Sequence, residues 1–180
     1  MAILEPILGL LPLDDLPRTG WIQRGVPAPE SIAGHILSTA YVALALAPRV
    51  TPELDLGRVL AMALVHDAPE ALTGDLPRVA ADLLPEGAKA RLEQGAAERL
   101  LAPLAPVAAE AFAEYQSQAT REARFTRLCD KLQLGARHVA YVRAGQHGLG
   151  EFGAVARELD CGEFPPAEAL RLEILAALDG

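Results

Sequence analysis

The stretch LGRVLAMALVHDAPEALTGDLP, residues 56–77, joins an apolar run to a dense group of polar residues. The run at 56–65 carries one charged side chain, Arg58, and its Ala and Leu content favours a helix. A helix that is apolar on every side belongs at the centre of a domain. Because the run leads directly into His66 and Asp67, we expect an imidazole and a carboxylate at the end of a central helix.

Outward from this stretch, Pro and Gly separate a series of further helical segments. No segment shows the sustained polar–apolar alternation that is typical of strands. Aromatic residues make up only 4% of the chain, so the core must be built from Leu, Ala and Val. We therefore predict an all-α fold with a short helix within 1–13, a long loop at 14–29, helices at 30–46, 87–101, 107–116, 119–144 and 167–178, and a short helical piece between Pro77 and Pro85.

The composition is typical of one globular domain. Of the 180 residues, 51% are hydrophobic and 22% charged, and we predict a single domain that spans 1–180. A net charge of −8 argues against a nucleic-acid polymer or an anionic membrane as partner. No apolar run is long enough to span a membrane, and the N-terminal segment lacks the basic start of a signal peptide. We therefore expect a cytoplasmic protein.

Potential metal ligands interrupt three of the predicted apolar helices, and they are His35, His66, Asp67 and Asp130. Burying a charge or an imidazole costs free energy unless something compensates it. Two imidazoles and two carboxylates suit a divalent transition metal better than Ca or Mg. Each residue alone has a structural alternative: a satisfied core histidine for His35, a helix cap for Asp67 and a surface ion pair for Asp130. The adjacency of His66 and Asp67, with the acidic pattern that follows them, favours a shared metal site.

The ordered set His35, His66-Asp67 and Asp130 resembles the signature of the HD-domain metal-dependent phosphohydrolases. Residues 66–77, HDAPEALTGDLP, are similar to the bacterial 5′-deoxynucleotidase branch of that family. Similar too are RTGW at 18–21, PESIAGH at 29–35, and EY at 114–115 leading to DKL at 130–132. The resemblance covers roughly residues 16–142 and implies a compact helical HD-domain bundle. We expect the C-terminal helices at 149–180 to pack on that bundle.

The resemblance implies one divalent metal ion per site, which is Mn, Co, Fe, Ni, Zn or Mg, with the ligands His35, His66, Asp67 and Asp130. HD enzymes with two metal ions have extra histidines between the HD dipeptide and the last Asp, and residues 68–137 contain none. His138 lies more than two turns beyond Asp130 on the same predicted helix, too far to share its metal. We interpret His138 and His147 as structural or surface residues.

The resemblance also implies catalytic roles for Glu70 and Asp67 and phosphate contact by Arg18. His66 and Glu70 are four residues apart, so they share a face if the helix continues. A guanidinium can bind phosphate through two parallel hydrogen bonds. The structural alternatives are a solvated helix face for Glu70 and a surface ion pair for Arg18.

Finally, the resemblance implies that Trp21 and Asp75 lie near a nucleoside; their structural alternatives are a hydrophobic plug and a helix cap after Gly74. The implied activity is hydrolysis of (deoxy)nucleoside 5′-monophosphates to nucleoside and phosphate by a metal-activated water. Two alternatives remain open: an HD phosphohydrolase of another small phosphate ester or regulatory nucleotide, and a non-catalytic binding protein with this fold. We expect a small nucleotide as substrate and, because apolar helix faces are exposed, a homodimer.

Overall fold

The computed structural model describes residues 3–180, and this part of the chain is all-α, as predicted, with no β-strand. The first two residues of the predicted N-terminal helix lie outside the described part. Among residues 3–180, no helix has both the length and the apolar character needed to cross a membrane. The helices are α1 (Leu4–Leu10), α2 (Thr19–Gln23), α3 (Ile32–Leu46), α4 (Leu56–Val65), α5 (Glu70–Thr73), α6 (Arg78–Ala81), α7 (Ala88–Leu100), α8 (Pro106–Ser117), α9 (Arg121–Arg143), α10 (Gly150–Glu158) and α11 (Pro165–Asp179).

Helices α3, α4 and α9 form the centre of the molecule, where each packs against the other two. Val59, Met62 and Ala63 of α4 are completely buried, whereas Leu64 is exposed. Helix α8 packs on α4, and α10 and α11 pack on α9. The apolar run at 56–65 thus lies at the centre, and the three helices that carry the candidate ligands meet there.

Side-chain caps fix where the three central helices begin. The caps are Ser31 for α3, Asp55 for α4 and Thr120 for α9, and each side-chain oxygen accepts a backbone N–H three residues further on, at 3.1 Å. The start of a helix determines which of its residues face inward, so these caps help to set the direction of the candidate ligands.

The prediction of a loop throughout 14–29 is wrong, because α2 lies within it. Helix α10, at 150–158, lies within the C-terminal helical region expected at 149–180, but no sequence pattern predicted its own bounds. The two helices bury aromatic rings against each other: the ring centroids of Trp21 and Phe152 are 3.8 Å apart. This long-range burial outweighs the Gly and Pro content that suggested a loop.

Helix α4 ends at Val65 and does not continue through Glu70. Residues 66–69 form a turn, in which N–H groups donate to carbonyls three residues back. Pro69 has no N–H with which to extend the helical hydrogen bonds. The expectation that His66 and Glu70 share one helix face is therefore wrong, and the turn sets their relative position.

Candidate active site

Three helices bring a group of buried ligand atoms together. His35 lies in α3, His66 directly follows α4 and Asp130 lies in α9. All three side chains are buried, and one ligand atom of each lies within 4.8 Å of the other two. Asp67 borders this group on its more solvent-exposed side: its Oδ2 is 3.4 Å from Nε2 of each histidine, and 20% of its side chain is exposed.

Hydrogen bonds determine which nitrogen of each imidazole faces this group. The Nδ1–H of His66 donates to the Ala63 carbonyl at 2.8 Å, and the Nδ1–H of His35 donates to Gln133 Oε1 at 2.6 Å. Both Nε2 atoms then carry lone pairs, and they lie 3.2 Å apart. Nε2 of His35 is also 3.1 Å from Asp130 Oδ1. Acceptor atoms at such distances are compatible when they share a cation, so this donor set fits a divalent metal ion.

Both carboxylates beside the histidines are held in their charged form. Burial raises the pKa of Asp130, but opposing contacts, of which the Lys131 ammonium 2.9 Å from Oδ2 is the strongest, together bring that pKa well below the ordinary value. Burial also raises the pKa of Asp67, but nearby positive charge, which includes the Arg18 guanidinium 3.2 Å from Oδ2, brings that pKa below its ordinary value. The group therefore offers negative charge to a cation.

Arg18 lies beside this group and not on the open surface, because only 17% of its side chain is exposed. Its Nη1 is 3.2 Å from Asp67 Oδ2 and 3.9 Å from Asp75 Oδ1. The Asp75 carboxylate in turn accepts the backbone N–H of Thr19, the first residue of α2. Asp75 therefore caps the helix that follows Arg18, instead of a helix after Gly74, and holds the Arg18 segment over the site.

Glu70 is the first residue of α5 and lines the same cleft. Its Oε2 is buried and has no hydrogen-bond partner among the described residues. Burial, together with the negative charges of Asp67 and Asp75, raises the pKa of Glu70 to about 10. Both effects favour the neutral carboxylic acid, which is the state of a proton donor, and the alternative of a solvated helix face does not apply.

Trp21 is almost completely buried, with 1% of its surface exposed. Its ring packs against Phe152 and lies edge-on to Tyr141, with centroids 5.0 Å apart. The indole N–H donates to Glu30 Oε1 at 3.2 Å. Trp21 thus fills the contact between α2 and α10 as a hydrophobic plug, and it lies at the edge of the cleft.

One cleft of about 620 Å³, which is the size of a small-molecule site, connects these residues. Its lining combines the polar group described above with the apolar side chains of Leu134, Phe152 and Val155. Charged side chains of both signs line the cleft: the cationic ones are Arg18, Arg24, Arg78, Lys89 and Lys131, and the acidic ones are Asp67, Glu70, Asp75, Asp82, Asp130 and Glu151. The cationic side chains can contact a small anionic molecule, and the acidic ones beside the histidines can contact a cation.

The sequence reasoning assigned no role to the residues that support the ligands. Gln133 contacts His35, and Glu30 contacts Gln133. The Tyr115 O–H donates to Asp130 Oδ2 at 3.4 Å. Gln133 follows Asp130 by three residues, and this helical spacing is a signal that could have identified it. Glu30 precedes His35 by only five residues, but its contact is with Gln133, 103 residues away, and Tyr115 lies in α8, so no helical spacing links either of them to the residue it supports.

The remaining histidines do not join the ligand group. His138 is buried near the rings of Trp21 and Phe152, with centroids 6.5 and 6.4 Å away, and His147 is exposed. These positions agree with their interpretation as structural and surface residues.

An all-helical fold that buries two imidazoles and a carboxylate where three helices meet defines a metal-binding helical domain. A sequence profile described as HD domain matches residues 13–155, and the chain belongs to this family. The resemblance inferred from the ordered histidines and aspartates is thereby confirmed, and it extends further toward the C-terminus than residue 142.

Curated relatives of this chain carry the name of an enzyme. The 5′-deoxynucleotidase hdd1 of Schizosaccharomyces pombe is 31% identical over 148 residues, which are 78% of this chain and 73% of that protein. The human 5′-deoxynucleotidase HDDC2 is 33% identical over 124 residues, or 68% of this chain and 59% of that protein. The chain therefore matches about three fifths of the human protein's length.

Solved structures share the fold over nearly the whole chain. The PH0347 protein from Pyrococcus horikoshii OT3 is 30% identical with a TM-score of 0.85, and the match covers 97% of this chain and 99% of that one. A predicted metal-dependent phosphohydrolase from Magnetospirillum magnetotacticum MS-1 has a TM-score of 0.72 at 22% identity, covering 98% of this chain and 93% of that one. The second match supports the fold alone.

Proposed function

We propose that this chain is a metal-dependent phosphohydrolase that converts (deoxy)nucleoside 5′-monophosphates into nucleoside and phosphate. The observation that carries the proposal is that one cleft reaches the buried ligand group at Asp67 and Asp130 and is also lined by the Arg18 guanidinium and by Glu70, whose pKa is raised. The names of the fission-yeast and human relatives support the substrate class. We assign this activity to a single HD domain that spans 1–180 and acts in the cytoplasm.

The residues that would hold one divalent ion (Mn, Co, Fe, Ni, Zn or Mg) are His35, His66, Asp67 and Asp130. When bound, such an ion neutralises phosphate charge and lowers the pKa of water. Asp67 is the most exposed of the four side chains and also pairs with Arg18, so it would lie closest to the substrate phosphate.

Arg18 would bind the phosphate oxygens that a single cation leaves without a partner. A phosphate monoester carries close to two negative charges at neutral pH, and a guanidinium can engage two of its oxygens at once. Because Asp75 anchors the N–H of Thr19, the start of α2 keeps the guanidinium near Asp67. This anchoring would hold the phosphorus in a reactive orientation.

Glu70 would act as the general acid. As the bond between phosphorus and the 5′-oxygen breaks, its electron pair stays on that oxygen, and the proton of the Glu70 carboxyl group neutralises it. A water oxygen forms the new bond to phosphorus, and one of the two protons of that water would return to the Glu70 carboxylate, which restores the acid for the next cycle. Burial and the neighbouring carboxylates keep Glu70 protonated, which is what this step requires.

Trp21 and Asp75 would lie near the nucleoside. The Phe152 ring, which packs on the buried ring of Trp21, gives one wall of the cleft an apolar surface against which a sugar or base can pack. The Asp75 side chain is 11% exposed and is a hydrogen-bond acceptor at the cleft edge.

A substrate panel tests this proposal. Purified protein is assayed with deoxyribonucleoside and ribonucleoside 5′-monophosphates, with other small phosphate esters and with regulatory nucleotides, each with Mn²⁺, Co²⁺ or Mg²⁺. We expect phosphate release to be fastest from the deoxynucleoside monophosphates. Preference for another ester or for a regulatory nucleotide would favour an HD phosphohydrolase of that other substrate. Absence of hydrolysis with every metal would favour a non-catalytic binding protein.

Replacing Arg18 with Ala is expected to lower kcat/KM, because a charge-assisted phosphate contact is lost. The loss corresponds to about 2–4 kcal/mol of transition-state stabilisation. Lys should restore only part of it, since an ammonium lacks the planar fork. Steady-state kinetics at saturating metal, with metal content measured alongside, give the comparison. An unchanged kcat/KM in Arg18→Ala would mean that the phosphate is bound elsewhere.

We also propose that the protein forms a homodimer through the outer face of α3. Leu37, Tyr41 and Leu44 recur there at helical spacing and are 50%, 61% and 44% exposed. Light scattering on the purified protein should give twice the mass of one 19.0 kDa chain. A mass equal to one chain at micromolar concentration would contradict the dimer.

A further inference from the structure

Behind His35, on the side away from the other ligands, lies a chain of buried polar contacts that the catalytic roles above do not use. His35 Nδ1–H donates to Gln133 Oε1 at 2.6 Å, and Gln133 Nε2 donates to Glu30 Oε2 at 2.8 Å. His35 is completely buried, and Gln133 and the Glu30 side chain are each 3% exposed. Buried hydrogen bonds of this kind are costly to leave incomplete.

Glu30 is held in place by further contacts. Its Oε2 accepts the Nε–H of Arg137 at 2.8 Å, and its Oε1 accepts the indole N–H of Trp21 at 3.2 Å. Its backbone N–H donates to the Tyr141 hydroxyl oxygen at 2.8 Å. The Arg137 guanidinium compensates the buried charge, so Glu30 is present as a carboxylate, a group that can only accept hydrogen bonds.

The carboxylate of Glu30 therefore determines how the Gln133 amide points. A glutamine amide offers an oxygen on one side and an NH₂ group on the other, and it can rotate to exchange them. Against a carboxylate the NH₂ side must face Glu30, which leaves the oxygen facing His35. His35 must then carry its proton on Nδ1, so that Nε2 presents a lone pair to the metal position.

We propose that Glu30 and Gln133 are positioning residues that hold His35 in the tautomer that metal binding requires. The inference rests on the proposed metal site. His66 supports it by contrast, because its Nδ1–H donates to the backbone carbonyl of Ala63, which cannot turn around to become a donor. Only His35 depends on a side-chain amide, and only its partner has a carboxylate behind it.

The test is Glu30→Gln in the full chain. An amide at position 30 can donate or accept, so Gln133 is free to turn its NH₂ group toward His35 and favour the wrong tautomer. We expect Mn²⁺ or Co²⁺ affinity, measured by calorimetry, to fall by about 10–100-fold, the usual effect of losing such a supporting contact. Long-range ¹H–¹⁵N NMR of the metal-free protein should show His35 gaining the Nε2–H form. Glu163→Gln, in an exposed ion pair with Arg124, is the matched control.

The double variant E30Q/Q133E separates tautomer control from loss of packing. The Gln at position 30 would donate to the Glu at 133, whose carboxylate again accepts the Nδ1–H of His35. We expect it to regain most of the lost metal affinity and the Nδ1–H signature. Wild-type affinity in Glu30→Gln, or a double variant that binds no better than Glu30→Gln, would overturn the proposal. If Glu30→Gln does not fold, the double variant tests the proposal alone. Loss of its Nδ1–H signature at His35 or of its metal affinity would then overturn the proposal.

The outcomes also distinguish this proposal from the proposed function. Wild-type protein that binds metal but hydrolyses no nucleoside monophosphate would refute the function and leave the His35 measurement valid. Normal wild-type hydrolysis with unchanged metal affinity in Glu30→Gln would refute the positioning role alone.

Discussion

Replacing His66 with Ala is expected to remove the bound metal ion and the hydrolytic activity together. The imidazole contributes one of the closely spaced ligand atoms, and an alanine methyl group has no lone pair to offer in its place. Asp67→Asn should have the same effect, because an amide keeps the shape of the carboxylate but loses its charge. Metal content by mass spectrometry and kcat under metal saturation measure the two effects.

The matched control for these variants is His147→Ala, which removes an exposed imidazole outside the ligand group. It should retain full metal content and activity. Full metal content in both His66→Ala and Asp67→Asn would disprove the ligand assignment.

The second large effect is expected for Glu70→Gln, which should keep the metal ion and lower kcat by about 10²–10⁴-fold, the range for general acid–base assistance. Glutamine has nearly the shape of the neutral carboxylic acid, but it cannot release a proton. The variant therefore isolates proton donation from packing. Parallel measurements of metal content and kcat on a deoxynucleoside monophosphate give the result.

A substrate with a better leaving group sharpens this test. A nitrophenyl phosphate ester needs no proton on its departing oxygen, so Glu70→Gln should lose much less activity toward it. Glu98→Gln, on the exposed surface of α7, serves as the control. Loss of metal from Glu70→Gln would instead make Glu70 a ligand or a structural support for one.

The parts of the site that the sequence predicts are those with a local pattern. A polar side chain within an apolar helical segment is costly to bury unless another group compensates it. His35, His66 and Asp130 could therefore be recognised from their own neighbours. The helix at 56–65 has the predicted bounds because Asp55 caps its start and its composition changes at His66. In these cases the determining contacts lie within a few residues along the chain.

The parts that could not be predicted depend on contacts between distant segments. Helix α2 forms around Trp21, whose partner Phe152 is contributed by α10 near the other end of the chain. The orientation of Gln133 depends on Glu30, 103 residues away. The end of α4 differs from these cases because it is local: the helix is predicted to end at Val65, and Pro69 prevents it from continuing through Glu70.

The origin of the ligands in three separate central helices has a consequence for the folded state as a whole. An ion bound there would cross-link α3, α4 and α9, and an unfolded chain offers no such arrangement. Metal would therefore act as a stabilising ligand, contributing about 2.7 kcal/mol at a free concentration of one hundred times Kd. For a domain of this size that corresponds to a rise in Tm of roughly 5–10 °C. The Tm of this protein would thus depend on the concentration of free metal ion as well as on the sequence.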